Sequence, residues 1–396
     1  FPCRPGRKSF WKDFRETGPE AGCPMSLFLE TSRKRRRSVC LDALRFLSPD
    51  APPFELNGFP WREKGAPFRR FPDDLKPGTL PPLVDSLADF PSGGELRFRT
   101  DSSRILIRAE FSAIHRISRM AETGVMGFDL YCGEEGEERF CGVLPAEREE
   151  SGYCAEIFRT EQRELRSFTL YFPLFAKVEH LEIGLEEGSR LEAPHPRAER
   201  SALVAYGTSI LQGACAGRPG LAYPARLSRL LRRPVWNFGF AGNARGEASV
   251  ARLLASLESP GAFLLDYDVN TTADSLRQTL PEFIRILRER HPEPPIVHLS
   301  SLAFPSDLGP DSARSPRLTE LVRIHQDVEE HFLRSGERNL HFVDGSLLLG
   351  QESAESSADG CHLNDSGFRL FAGNLAGILR DILRNPTGIP PRKHFF

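Results

Sequence analysis

Four short segments of the chain carry residue types that together could run acyl transfer. The first is Gly207-Thr208-Ser209-Ile210-Leu211-Gln212-Gly213, a glycine-bounded turn after an apolar run that would present the Ser209 hydroxyl at the mouth of a sheet. A serine becomes a competent nucleophile only when a neighbouring base takes its proton and N–H donors help hold the developing oxyanion. The last segment, Asp359-Gly360-Cys361-His362-Leu363-Asn364, offers that base. A carboxylate three residues before a histidine can orient the imidazole through one ring nitrogen while the other faces Ser209, and it stabilises the imidazolium formed on proton transfer. Between these two segments, Asn237-Phe238-Gly239-Phe240-Ala241-Gly242-Asn243 contains glycines able to aim a backbone N–H at a carbonyl oxygen, and Leu265-Asp266-Tyr267-Asp268-Val269-Asn270 ends in an amide that could donate to the same oxyanion. Each segment also has a plainer reading. Ser209 could be a helix N-cap, the glycines and Asn270 turn formers, Asp359 a cap and His362 a surface histidine. The set says more than its members, because the four segments, each at the end of a different strand, together supply nucleophile, base, orienter and oxyanion donors.

The elements that must position these residues begin at Ala202. Short apolar runs alternate with helical stretches: strands at Ala202 to Tyr206, Val235 to Phe238, Ala262 to Asp266, Ile296 to Ser300 and Leu340 to Val343, and helices near Tyr223 to Leu231, Ala248 to Leu257, Leu276 to Arg290, Leu318 to Leu333 and Gly367 to Leu383. Five βα units imply an α/β fold with a doubly wound parallel five-stranded sheet, whose reactive site lies beyond the carboxyl ends of the strands. Asn364 or Asp365 would cap the last helix.

Upstream, from about 50 to 192, short alternating runs separated by turn residues predict an antiparallel β-sandwich of jelly-roll-like form. Leu96 and Phe98, then Ile105 and Ile107, predict a hairpin across Asp101-Ser102-Ser103, with further strands at Gly127 to Cys132, Phe168 to Tyr171 and His180 to Leu185. The expected organisation is an irregular basic extension over 1–49 with a short helix around Cys40 to Phe46, a β-sandwich over 50–192, a proline-bearing linker over 193–200, the α/β domain over 201–386 and a tail over 387–396. The loops Phe304 to Pro316 and Gly345 to Ala358 should flank the site.

Gly207-Thr208-Ser209 with Gly213, the block ending in Gly242, the block ending in Asn270, and Asp359-x-x-His362 resemble, in order and spacing, the four blocks of the SGNH (GDSL-like) hydrolases. Gly127-Phe128-Asp129-Leu130-Tyr131 resembles the G-x-D-L-Y signature of a β-rich module found before SGNH domains of esterase type. The resemblance implies a flavodoxin-like SGNH sheet, Ser209 as nucleophile, His362 as base, Asp359 as its orienter, and the Ser209 N–H, the Gly242 N–H and the Asn270 side chain as oxyanion donors. It implies no cofactor and no metal. Thr208 stands where the G-D-S form has aspartate, and the third block lacks the glycine of G-x-N-D. The activity it implies is hydrolysis of short-chain, foremost acetyl, esters on a carbohydrate. The alternatives are an acyltransferase with the same triad and a catalytically silent carbohydrate-binding protein.

Other chemistries fail at their motifs. An α/β-hydrolase elbow needs glycine where Leu211 stands, a P-loop needs lysine where Ala214 follows Gly213, and Gly239, Gly242 and Gly246 follow the wrong strand for dinucleotide binding. Charge is nearly balanced, with 52 Lys+Arg against 54 Asp+Glu, so no global field draws the chain to nucleic acid or anionic lipid. The basic run Arg33 to Arg37 reads as a solvated face. The expected partner is a small-molecule or oligosaccharide ester, with no nucleic acid and no membrane span. Eight cysteines without C-x-x-C pairs read mostly as free thiols, which points to a cytoplasmic setting, or a secreted one if a leader has been removed.

Overall fold

The strand Leu203–Gly207 (β11) is buried at all five positions, and this marks it as a central strand covered on both faces. It lies between Val235–Gly239 (β12) and Ala262–Asp266 (β13) in a parallel sheet completed by Ile296–Leu299 (β14) and Leu340–Val343 (β15), in the order β12-β11-β13-β14-β15. This is the doubly wound five-stranded order expected, with its topological switch beside β11. The computed structural model describes residues 43–145, 147–307 and 314–385.

Alternation along β11 sorts the helices onto the two faces. Leu203 and Ala205 pack with Tyr223–Leu231 (α4) and Asp365–Arg384 (α8), whereas Val204 and Tyr206 pack with Ala248–Ala255 (α5), Ala273–Arg290 (α6) and Pro316–Arg334 (α7). Thr272, Ser315 and Asn364 cap α6, α7 and α8 through their side chains, as the sequence anticipates for Asn364.

Ahead of this sheet lie two antiparallel sheets. One has the order β1 (Leu44–Leu47), β9 (Ala176–Glu186), β4 (Arg104–Ile114), β7 (Gly152–Arg159). The other runs β10 (Leu191–Glu192), β3 (Glu95–Thr100), β8 (Arg166–Tyr171), β5 (Phe128–Cys132), β6 (Arg139–Leu144), with β2 (Glu55–Asn57) also on β3. Their inner faces share one core, to which Phe98, Leu130 and Phe168 contribute from one sheet and Ile107, Val178 and Ile183 from the other.

Two local expectations are corrected. β3 and β4 do not form a hairpin: they lie in different sheets, and the chain arches between them at Asp101 to Ser103. Apolar alternation at Leu96, Phe98, Ile105 and Ile107 reports which side faces the core, and that side is the same for an arch and a hairpin. Ser102 fixes the arch, its hydroxyl donating to Arg104 O at 2.6 Å and accepting from Glu186 N at 3.0 Å. The helix expected around Cys40 to Phe46 is instead the strand β1 over Leu44–Leu47, held by pairing with β9; residues 40–42 lie outside the described residues.

The connection from β2 to β3, which includes the short helix α1 (Pro82–Leu87), crosses to the parallel sheet. Phe71 stacks on Phe238 and Phe240 at centroid distances of 5.3 and 5.4 Å, and Val84 and Ala88 join the same core. From Leu44 onward the described residues form one compact unit. The segment around 193–200 is tied down within it: Arg97 donates to His195 O at 2.9 Å, and the buried Arg197 pairs with Glu95. Among the described residues no helix is long and apolar enough to cross a membrane.

Candidate active site

The site begins with the turn out of β11. Thr208, fully buried, caps the one-turn helix Ser209–Gln212 (α3) by accepting from Ile210 N at 3.3 Å. The capping role that the plainer reading gave Ser209 thus falls to its neighbour, and the Ser209 hydroxyl is left free for another partner. That partner is His362, whose Nε2 lies 2.9 Å from Ser209 Oγ.

His362 is oriented from its other side by Asp359, with Nδ1 to Oδ2 at 2.9 Å. Asp359 is held in turn by its own loop, its Oδ1 accepting from the backbone of His362 at 2.7 Å and of Cys361 at 3.0 Å. Burial pushes this carboxyl up, but the hydrogen bonds from the His362 backbone, the imidazole and Cys361 outweigh it and hold the pKa at about 2. An ionised Asp359 can only accept, so Nδ1 carries the proton and Nε2 is left to accept from Ser209. This is the tautomer that a general base requires.

The second block follows β12. Phe240 N donates to Gly207 O at 2.9 Å, and Ala241 N donates to the Gln212 side chain at 2.8 Å, so this loop is tied to the nucleophile turn at two points. Gly242 has φ +67°, a left-handed conformation that glycine adopts without strain, and nothing lies within 4 Å of where a Cβ would stand. In the third block, Asp268–Asn270 form a 3₁₀ turn after β13. The Asn270 amide donates one proton to Asn243 O, which links the third block to the second, and its other amide proton remains available.

Several supporting residues carried no local signal in the sequence. Arg70, wholly buried, donates to Asn237 O at 3.1 Å and Gly239 O at 2.6 Å and so holds the end of β12; burial lowers its pKa to about 9. Gln212 also donates to Leu174 O at 3.2 Å, across the boundary between the β-rich module and the α/β module. Under the third block, Asp268 accepts from Ser301 N at 2.8 Å and lies 3.4 Å from the buried His325, whose Nδ1 meets His298 Nδ1 at 2.8 Å. Burial holds His298 well below the ordinary histidine range, in its neutral form. Behind the nucleophile turn, burial raises Asp266 to about 7, with the Tyr223 hydroxyl donating to it at 2.6 Å.

The G-x-D-L-Y segment is a docking device. Asp129, wholly buried on β5, accepts from Arg218 and from Gly220 N at 3.0 Å, and the Tyr131 hydroxyl accepts from Arg218 at 2.7 Å. A Cβ at Gly220 would lie 2.5 Å from the Tyr131 ring, so this close approach requires glycine. Cys215, Asp359 and His362 also bring ligand atoms within 4.8 Å of one another, a pattern that could hold a cation, but the Arg119 guanidinium already lies against Asp359 and Cys215. Cys132, Cys141, Cys154, Cys215 and Cys361 are free thiols; Cys3, Cys23 and Cys40 lie outside the described residues.

Comparison with known proteins agrees with this architecture. Residues 200–380 match the GDSL-like lipase/acylhydrolase family, and residues 44–191 match the N-terminus of SGNH-hydrolase-type esterases. Among solved structures, a Bacteroides ovatus protein assigned as a GDSL-like lipase is 28% identical with a TM-score of 0.78, covering 86% of this chain and 98% of its own. The salicylyl-acyltransferase SsfX3 from a tetracycline biosynthetic pathway is 22% identical with a TM-score of 0.69, covering 87% and 99%. A family two carbohydrate esterase from Cellvibrio japonicus shares the fold at 14% identity and a TM-score of 0.57, covering 86% and 98%. No curated protein matches the chain in sequence. One segment thus matches the GDSL-like acylhydrolases and the other the N-terminal module of SGNH-type esterases, and both matches support an esterase.

Proposed function

We propose that the chain hydrolyses short-chain acyl esters, acetyl foremost, on a carbohydrate, through an acyl-enzyme on Ser209. The observation that carries this reading is the unbroken run Ser209 Oγ to His362 Nε2 at 2.9 Å and His362 Nδ1 to Asp359 Oδ2 at 2.9 Å. Ser209 Oγ attacks the ester carbonyl as His362 takes its proton, and His362 then gives that proton to the departing alcohol. Water, deprotonated by the same imidazole, attacks the acyl-enzyme and releases the acid. The Ser209 and Gly242 N–H groups and the free amide proton of Asn270 are the donors we assign to the oxyanion. The chemistry needs no cofactor.

A short acyl group is favoured because the groups against the triad, Arg119, Cys215 and Cys361, are polar or small. A carbohydrate acceptor is favoured by fold neighbours: one is an acetyl xylan esterase from Butyrivibrio proteoclasticus, and another, a family two carbohydrate esterase from Clostridium thermocellum, is in complex with cellohexaose. The free thiols fit a reducing, cytoplasmic compartment. Ser209→Ala should lose kcat by on the order of 10⁶-fold while folding normally. Ester hydrolysis retained in that variant would remove Ser209 as nucleophile. p-Nitrophenyl esters of increasing chain length, followed by acetylated oligosaccharides, read the acyl and alcohol preferences.

The likeness to SsfX3 favours a second reading, in which the acyl group passes to a hydroxyl other than that of water. Product analysis with and without a sugar acceptor separates the two.

A further inference from the structure

Arg119 belongs to the β-rich module, on the connection between β4 and the short helix Glu122–Val125 (α2), yet its Nε pairs with Oδ2 of Asp359 in the other module. This is the oxygen that already accepts from His362 Nδ1. The guanidinium also lies against the Cys215 thiol.

The loop carrying Arg119 is fixed at both ends. Arg116 Nε donates to Glu122 at 2.9 Å, Met120 N donates to Ile117 O at 2.9 Å, and Thr123 Oγ1 donates to Gly217 O at 2.5 Å, in the strand-to-helix connection behind the nucleophile. A Cβ at Gly124 would lie 2.2 Å from Ala216 O, so the two modules meet here backbone to backbone. The cation is therefore delivered to the triad by a braced loop. The Asp359 side chain is largely covered and that of Arg119 is half-exposed.

We propose that Arg119 is a positioning residue of the triad: it holds the shared Asp359 oxygen from the side opposite His362 and offsets part of its negative charge. Resting on the Ser209–His362–Asp359 reading, it makes the imidazole take its proton less readily, so that His362 stays neutral, and able to act as base, to lower pH than the Asp–His pair alone would allow. The groups that face this pair are Ser209 Oγ from α3, Cys215 from the loop after it, Cys361 on the same loop as His362, Arg119, and Arg317 of α7, whose charge reaches Cys361. Burial and Asp359 push both thiols up, which keeps them neutral, so the full charges at work are Asp359, Arg119 and, at longer range, Arg317 with the Asp307 carboxylate that pairs with it at 2.6 Å.

The test compares Arg119→Gln and Arg119→Lys with the parent in the pH dependence of kcat/KM, whose acid limb reports the free-enzyme imidazole. Arg119→Gln should move that limb to higher pH by about half a unit, the scale of a solvent-adjacent ion pair, and lower kcat; Arg119→Lys should return most of the shift. The His362 imidazole resonance, assigned by its loss in His362→Gln, is titrated in the same proteins and should move by the same amount. If no ester is turned over but the imidazole titration moves, the functional reading falls and the role of Arg119 stands. If the imidazole titration and any acid limb are unmoved in Arg119→Gln, whatever happens to Tm or KM, Arg119 is a structural tie only and the inference is overturned.

Discussion

Two arginine–aspartate pairs cross the module boundary in opposite directions. In one, the side chain of Asp129 of the β-rich module is 0% exposed and binds Arg218 of the α/β module; in the other, the side chain of Asp359 of the α/β module, 17% exposed, binds that of Arg119 of the β-rich module, 47% exposed. The chemistry is the same and the solvent is not. Burial lifts the Asp129 carboxyl above the usual range, and Arg218 and Gly220 N offset this only in part, so either charge left alone would be costly. The Asp359 pair is close to water and contributes little to stability, but it touches a group of the proposed reaction. One crossing therefore locks the modules together, and the other bears on the triad.

The largest effect on that contrast should come from Asp129→Ala. Unfolding in urea should show a loss of about 3–5 kcal/mol, since Arg218 is left without its carboxylate. In an Arg218→Ala background the same substitution should cost clearly less, and equal losses in both backgrounds would break the view of the pair as a lock. Next is Asn270→Ala, within the α/β module. It should lower kcat by roughly 10²–10³-fold through the lost oxyanion donor, and an unchanged kcat would remove Asn270 from that role without touching the triad. The smallest is Thr208→Ala, which removes the cap of α3 and should lower stability by about 1 kcal/mol, with a smaller fall in kcat than Asn270→Ala gives. If Thr208→Ala matched Asn270→Ala in kcat, the placement of Ser209 would depend on its own cap more than on its ties to the second block.

The α/β module was legible because its signals are local and repeated. Each strand is a short apolar run, each is followed by a periodic helix, and the residues now grouped around Ser209 stand at strand ends, where a parallel sheet must place them. Ser209, His362 and Asp359 come together as their spacing suggested; Asn270 reaches the second block through Asn243, a contact its sequence position did not reveal. In the β-rich module, alternation identified the strands but could not say which neighbours they would take, and so β3 and β4 were expected as a hairpin. Arg70, Gln212 and Arg119 were missed for a different reason. Each acts through contacts with distant segments, Gly239 for Arg70, Leu174 for Gln212 and Asp359 for Arg119, and a single arginine or glutamine among many carries no periodicity to mark it.

The placement of Arg70 has a consequence for biosynthesis. Domains of a growing chain fold as units from the N-terminal end, and Arg70 leaves the ribosome 167 residues before Asn237. In that interval neither of the carbonyls at the end of β12 exists for its guanidinium, and water must satisfy those protons. Emergence of β12 replaces that water with protein. The segment bearing Arg70 thus waits on a strand not yet translated, and the loop bearing Gly242 gains its anchor only when the two stretches of chain meet.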